Sequence, residues 1–321
     1  MTVPDSGPHG GDGVRLAAAM GVDPSTILDL SASLNPLAPD VTSLVQRHLA
    51  GLSRYPDPEP ARRALAEAFE VDVAELLLTN GGAEAIALAC AQLVEQHGAG
   101  SVRPHDFSLY ARHLATIVDG APRVRSNPGN PTGHRVDPAG GIDDDGVRVG
   151  VWDEAFWSLA YGTWTSRAHT SGAMVVGSLT KLFACPGLRL GYVLADPETI
   201  EVLRSRQPQW SVSTLAADVL PDLLEVAELS AWATGIAARR VALQANLRAL
   251  GYTVVEGVNW VLVELPGIAG SALRAALAAH RVLARDCASF ALPQYARIAI
   301  PRDSDAARLL SALTLVREQA G

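Results

Sequence analysis

Lysine is almost missing from this 321-residue chain: Lys181 stands alone against twenty-five arginines. A guanidinium keeps its proton in any protein, whereas an amine can be desolvated, deprotonated and made nucleophilic. The lone lysine is either a leftover of an arginine-biased composition or a position where arginine would not serve. Cysteine is scarce too, and Cys90, Cys185 and Cys287 are odd in number and far apart. That excludes a disulfide framework or a zinc site and fits reduced thiols in a cytoplasm. Positive charge is outnumbered, 26 basic to 34 acidic residues with a net charge of -8, which argues against nucleic acid or an anionic membrane as partner. Long apolar runs are absent. The longest, Ala85 to Val94, falls far short of the roughly 20 residues a bilayer requires, and no basic start followed by an apolar run suggests a secretory signal. What remains is ordinary for a globular chain: 48% hydrophobic, 19% charged, and long enough for a sizeable core.

In chain order, residues 1 to about 40 read as an arm, with His9-Gly-Gly and the proline-punctuated stretch Leu28 to Pro39. Glu75–Thr79 is a short apolar run of the kind buried in parallel sheets, and Asn80-Gly-Gly-Ala-Glu84 turns straight into a helix. Such a turn is an anion site when a ligand uses the free N–H groups of the helix start, and a plain βα connection otherwise. It has neither the lysine of a Walker loop nor the full dinucleotide fingerprint. Arg123–Ser126 reads as a strand running into Asn127-Pro-Gly-Asn-Pro-Thr-Gly133, too rich in turn formers to lie inside an element. Val147–Trp152, Ala173–Gly177 and Leu190–Leu194 are further strands. The first ends in Asp153-Glu154 and the second delivers Ser178 and Lys181, where open α/β sheets place ligands. After Asp196 come long helical segments to about Leu250. Strands at 252–256, 260–264 and 296–300 and helices then complete an α+β tail.

The predicted strand ends collect a glycine turn, Tyr110, Asn130, Asp153, Ser178, Lys181 and Arg189. One ligand suits them all, an aromatic cation carrying a phosphate. A lysine forms a Schiff base, an aspartate pairs with a ring N–H⁺, and an aromatic face stacks. Helix-terminal N–H groups, a serine and an arginine hold a phosphate. A lysine with an aspartate partner for the pyridinium marks pyridoxal-phosphate sites.

The motifs SNPGNPTG, DEAF and SLTKxxxxPGLRLGY, in that order, resemble the fold-type I pyridoxal-phosphate enzymes of the class I/II aminotransferase group. Within it the chain most resembles threonine-phosphate decarboxylases of cobalamin biosynthesis, with histidinol-phosphate aminotransferases as close cousins. That likeness rests on His9-Gly-Gly, Ser31-Ala-x-x-Asn-Pro-Leu37, Arg54-Tyr-Pro-Asp57, Asp153-Glu-Ala-Phe156, Gln209-Trp-Ser-Val212 and Arg285-Asp-Cys287. It implies an α/β fold: a cofactor domain with a mostly parallel sheet, 41–206, and a smaller α+β C-terminal domain, 207–321, behind an arm, 1–40. It also implies pyridoxal 5'-phosphate as cofactor and no metal. Lys181 would form the Schiff base and move protons at Cα, and Asp153 would keep the pyridine nitrogen protonated. Asn130 would hydrogen-bond the ring O3′ and Tyr110 would stack. Gly82 and Ala83 amides, Ser178 and Arg189 would hold the cofactor phosphate. Tyr55 would reach the phosphate of a neighbouring subunit, implying a homodimer with shared sites. Arg297 would bind the substrate carboxylate, His9 and Arg285 a substrate phosphate, with Ser33 nearby.

Three departures stand out. Only 16 residues separate Tyr110 from Asn127, so about one βα unit of the family is lost or collapsed. Ser33 and Ser213 replace asparagines of the decarboxylases, turning direct contacts into water-mediated ones. Phe156 stands where the aminotransferases commonly carry tyrosine, which leaves Asn130 as the O3′ partner. The leading expectation is decarboxylation of threonine phosphate or a near relative. The alternatives are an aminotransferase acting on histidinol phosphate or another amino acid, and a non-catalytic binding protein that kept the fold. The bond that stands perpendicular to the cofactor ring decides between the two reactions, and spacing does not resolve it.

Overall fold

Four strands in the first two-thirds of the chain end at a polar residue, Asn80, Ser126, Asp153 or Ser178, and one sheet sets those ends side by side. In the computed structural model, which describes residues 3–7, 9–265 and 268–320, the strands are β1 Leu28–Asp29, β2 Leu76–Asn80, β3 Arg123–Ser126, β4 Val149–Asp153, β5 Met174–Ser178, β6 Leu190–Leu194, β7 Thr253–Glu256, β8 Trp260–Glu264, β9 Val282–Leu283, β10 Arg285–Asp286 and β11 Tyr295–Ala299. The chain divides into two units. One comprises residues 38–130 and 134–233, the other 1–37, 131–133 and 234–321.

The larger unit is built on a five-stranded sheet of order β2-β6-β5-β4-β3. β3, β4 and β5 run parallel, β6 is antiparallel to both β5 and β2, so four strands share one direction. The helix Gly81–His97 lies across one face. Its Ile86, Ala89, Cys90 and Leu93 pack against Leu77, Val124, Val151, Val176 and Val193. Each fully buried aliphatic side chain there contributes about 1.5–3 kcal/mol. The strands are buried along nearly their whole length, which is why they read as continuous apolar runs without alternation.

The interval that looked too short for a βα unit closes economically. After the helix Ser108–His113 the chain makes single-residue parallel bridges, Gly100 to Ile117 and Ser101 to Arg123. The sheet thus continues past β3 without full strands.

The smaller unit holds an antiparallel sheet of order β10-β11-β8-β7 and a parallel pair, β1-β9. Helices Gly270–Ala278 and Asp303–Ala320 belong to it. The N-terminal segment expected as a separate arm is part of this unit. Leu16, Ala17 and Ile27 bury with Ala278 and Leu283, and β1 pairs with β9. The division expected after residue 206 falls instead inside the helix Leu229–Ala249, after Ala233. The helix Thr214–Glu225 stays with the larger unit because it packs on the helix Glu59–Phe69, burying Val219, Leu220 and Leu223. Among the described residues no helix is long and apolar enough to cross a membrane, and all three cysteines are free and buried.

Candidate active site

Sheet topology gathers the chemistry of the larger unit. Register pairs Ser126 with Asp153, Asp153 with Val176, Ser178 with Gly191 and Asn80 with Leu190. The polar termini of β2, β3, β4 and β5, and Arg189 just ahead of β6, therefore share one edge.

At the β2 end the chain turns into its longest helix of this unit through Gly81, whose φ is +72°. A Cβ there would lie 2.5 Å from Arg189 Nη2, so only glycine lets the guanidinium settle against the helix start. One residue on, a Cβ on Gly82 would meet the Ser178 Cβ at 3.1 Å. Amides of the first helical turn, Ser178 and Arg189 thus converge on one point, and the helix dipole makes it favourable for an anion. Thr180 strengthens this reading and was missed in the sequence. Its hydroxyl is buried and finds no hydrogen-bond partner among the described residues. An unmet buried hydroxyl costs about 1–3 kcal/mol unless a ligand supplies its partner. The signal lay in Ser178-Leu-Thr-Lys181, where the threonine adjoins the lysine.

Asp153 ends β4 inside the core. Its Oδ2 accepts the Tyr110 hydroxyl at 2.7 Å, and its Oδ1 accepts the Ala155 N–H at 2.9 Å. Burial pushes its carboxyl up, while the Tyr110 and Ala155 bonds and the Lys181 charge pull it down. A ring N–H⁺ is the cation that such a carboxylate favours. Tyr110 is 0% exposed and meets Phe107 edge-on at 5.8 Å. Its hydroxyl bond to Asp153 was not foreseen, since the sequence suggested only a stacking face. Asn130 follows β3, its N–H donating to Ser126 Oγ at 2.8 Å, while Asn127 N–H reaches the Asp153 carbonyl at 2.9 Å. Lys181 sits half-buried on the short helix Leu179–Leu182, close enough for its charge to act on Asp153. The donor set therefore fits a phosphorylated pyridine aldehyde: a lysine, a buried carboxylate, an anion cup, and an unmet buried hydroxyl on the residue next to the lysine.

Tyr55 stands apart from these buried groups. It is 79% exposed and packs on Trp210 with ring centroids 4.7 Å apart.

Glu154 is 3% exposed, and both its oxygens accept the Ser166 N–H, at 3.1 and 3.2 Å, beside a short bond from the Ser166 hydroxyl. Burial pushes its carboxyl up to about 7 against those bonds.

The four residues expected to meet the substrate all lie in the smaller unit. Arg285 and Arg297 face each other across β10 and β11. Arg285 donates to the Gly7 carbonyl and to Ser289 Oγ, both at 2.6 Å, with its guanidinium 5.7 Å from the Phe290 ring centroid. Arg297 donates to the Ser31 carbonyl at 2.8 Å and lies over Trp260 at 5.4 Å. Burial lowers both, Arg297 to about 10, opposed in Arg297 by Cys287 and reinforced by Arg285. The two glycines after His9 are held against Ser31: a Cβ on Gly10 would lie 2.1 Å from the Ser31 carbonyl oxygen, and Gly11 N–H donates to Ser31 Oγ at 2.8 Å. Ser33 has φ +50° and is 1% exposed; its hydroxyl makes no hydrogen bond among the described residues, while its carbonyl accepts from Asn259 at 2.7 Å.

Comparison with known proteins agrees with this arrangement. Residues 124–313 match the model of the family "Aminotransferase class I and II". A histidinol-phosphate aminotransferase of Stutzerimonas stutzeri is 29% identical, covering 95% of this chain and 93% of that protein. In fold the chain is similar to histidinol-phosphate aminotransferase from Sinorhizobium meliloti in complex with pyridoxal-5'-phosphate, with a TM-score of 0.79, 19% identity and coverage of 100% and 96%. It is also similar to L-threonine-O-3-phosphate decarboxylase from Porphyromonas gingivalis, with a TM-score of 0.75, 21% identity and coverage of 91% and 100%. With the family model spanning more than half its length, this chain belongs to the class I and II aminotransferases and is a pyridoxal-phosphate-dependent enzyme.

Proposed function

We propose that this enzyme decarboxylates a small phosphorylated amino acid, threonine phosphate or a near relative. One observation carries the substrate class: two buried arginines face each other across an antiparallel strand pair. Like charges directly opposite destabilise a sheet, and burial adds a desolvation cost to each. A substrate with two negative groups on a short skeleton offsets both terms. Arg297 binds the carboxylate, and Arg285 with His9 binds the phosphate. Ser33, shorter than asparagine, reaches the substrate through water.

When bound, pyridoxal phosphate supplies an electron sink for the pair left by a broken Cα bond. The chain's own groups do the rest. Lys181 holds the cofactor and returns a proton to Cα. Asp153 would pair with the ring N–H⁺, Tyr110, too buried to present a stacking face, fixes the Asp153 carboxylate, and Asn130 would donate to O3′. Gly82, Ala83, Ser178, Thr180 and Arg189 hold the cofactor phosphate. Arg297, by fixing the substrate carboxylate, would select the bond that breaks. Phe156, which lacks a hydroxyl, leaves Asn130 as the O3′ donor and supports the decarboxylase reading. The exposed Tyr55–Trp210 pair supports a homodimer in which Tyr55 reaches the partner's cofactor phosphate, in a cytoplasmic enzyme.

The curated histidinol-phosphate aminotransferase at 29% identity favours a second reading, transamination. Product analysis separates the two. With threonine phosphate, CO₂ and an amino-alcohol phosphate form and the cofactor returns to its aldehyde state. With histidinol phosphate and no acceptor, transamination instead leaves pyridoxamine phosphate. Neither product with any phosphorylated amino acid refutes both.

A further inference from the structure

The loop that carries Asn130 is held from outside by an acidic turn that the reaction does not use. Asp144 lies in the turn Asp143-Asp144-Asp145-Gly146, between the bridged residues Ile142 and Arg148. Its Oδ1 accepts Arg125 Nη1 at 2.6 Å and Arg103 Nη2 at 3.2 Å, and its Oδ2 lies 3.1 Å from His134 Nε2. Arg125 is on β3, five residues before Asn130, and His134 is four residues after it. One carboxylate therefore grips both legs of the loop. The legs are already close: Gly129 N–H donates to the His134 carbonyl at 2.7 Å, and the Asn127 amide exchanges two bonds with Val136, 2.7 and 3.2 Å.

The turn is itself anchored. Asp143 is buried; its Oδ1 accepts the Asp145 and Val147 N–H groups at 3.0 Å each, and its Oδ2 takes a short bond from Arg123. Arg125 is fixed a second way, 5.9 Å from the Trp152 ring centroid, and Trp152 is its register partner on β4, one residue before Asp153. Partial burial raises the Asp144 carboxyl, but bonds from Arg125, its own backbone and Arg103 outweigh it and hold the group well below the usual carboxylate range.

We propose that Asp144 is a positioning residue for cofactor binding: through Arg125 and His134 it sets the reach of Asn130 toward the cofactor O3′. This rests on the reading of Asn130 as the O3′ donor. The turn sits beside β3, where the sheet continues only as single-residue bridges. An ion-paired turn there holds the loop without another helix.

The test uses full-length enzyme reconstituted with pyridoxal phosphate, with Asp144→Asn, Asn130→Ala and the double variant. The readouts are the pH titration of the bound cofactor's visible absorbance and the cofactor dissociation constant. Asp144→Asn should shift the titration and weaken cofactor binding by up to about fivefold, the range of a half-exposed ion pair. In the Asn130→Ala background it should do neither, because the group it positions is gone. Asp144 is half-exposed, so the variant folds, and His134→Gln provides an independent cut of the same clamp with the same expected shift. An unchanged titration in Asp144→Asn beside a shifted one in Asn130→Ala overturns the inference alone. So does an Asp144→Asn effect that persists undiminished in the double variant. An Asn130→Ala enzyme with an unshifted titration overturns the Asn130 assignment and the inference with it.

Discussion

Replacing Glu154 with glutamine should make the enzyme more stable above neutral pH and flatten its pH dependence. The carboxyl is buried beside Asp153, and its ordinary value of 4.5 is pushed up to about 7 by burial, with the Ser166 and Thr165 bonds opposing and the Asp153 charge adding. The folded chain thus holds this proton more tightly than the unfolded chain. The stabilisation is fully present below about 4.5 and is lost as pH rises through about 7. The gap corresponds to about 3 kcal/mol, a ceiling reached only if the site neither relaxes nor admits water. Glutamine keeps the geometry: its carbonyl accepts the Ser166 N–H and its amide donates to the Ser166 hydroxyl, with no charge to desolvate. The assay is denaturant unfolding of cofactor-saturated wild type and Glu154→Gln at about pH 5 and about pH 8.5. Subtracting the variant cancels the other titrating groups. The wild type should lose up to about 3 kcal/mol relative to the variant across that interval. A difference that is flat, or that grows in the wild type's favour with pH, refutes the reasoning.

Gly81→Ala puts a methyl 2.5 Å from Arg189 Nη2 at a φ of +72°, so it should cost at least about 1 kcal/mol of stability and raise the pyridoxal-phosphate dissociation constant, measured by fluorescence titration. Thr180→Val removes the unmet buried hydroxyl. Without cofactor its stability, followed by thermal unfolding, should stay level or rise by up to about 1 kcal/mol, while cofactor affinity falls about tenfold. Arg285→Ala should raise KM for a phosphorylated amino acid far more than for its unphosphorylated parent, read from steady-state kinetics. Equal effects on both would remove Arg285 from the phosphate.

Strand ends were legible in the sequence because the buried runs are bounded by polar residues, Asn80, Ser126, Asp153 and Ser178 after four of them and Arg189 before the fifth. Arg123–Ser126 and Leu190–Leu194 come out with the same bounds in the structure. The residues Arg285 and Arg297 were legible, but their cross-strand register was not, since register depends on turns and on both faces of the sheet. The acidic turn escaped notice for a similar reason. Asp143 pairs with Arg123 and Asp144 with Arg125 at separations of about twenty residues, and in sequence both sets look like solvated charge. Thr180 was hidden by its neighbours: only burial distinguishes its hydroxyl from any other threonine's. The N-terminal segment read as an arm because its apolar residues are few, and it takes Ala278 and Leu283 to complete their burial.

The scarcity of lysine also makes the central claim unusually direct to test. Reconstitute the enzyme with pyridoxal phosphate, reduce it with borohydride, digest it and map the modified peptide by mass spectrometry. One phosphopyridoxyl group on the peptide containing Lys181 is the predicted result, with none on the Lys181→Ala protein. A label on the N-terminal amine instead, or no label on protein that has bound cofactor, would contradict the account.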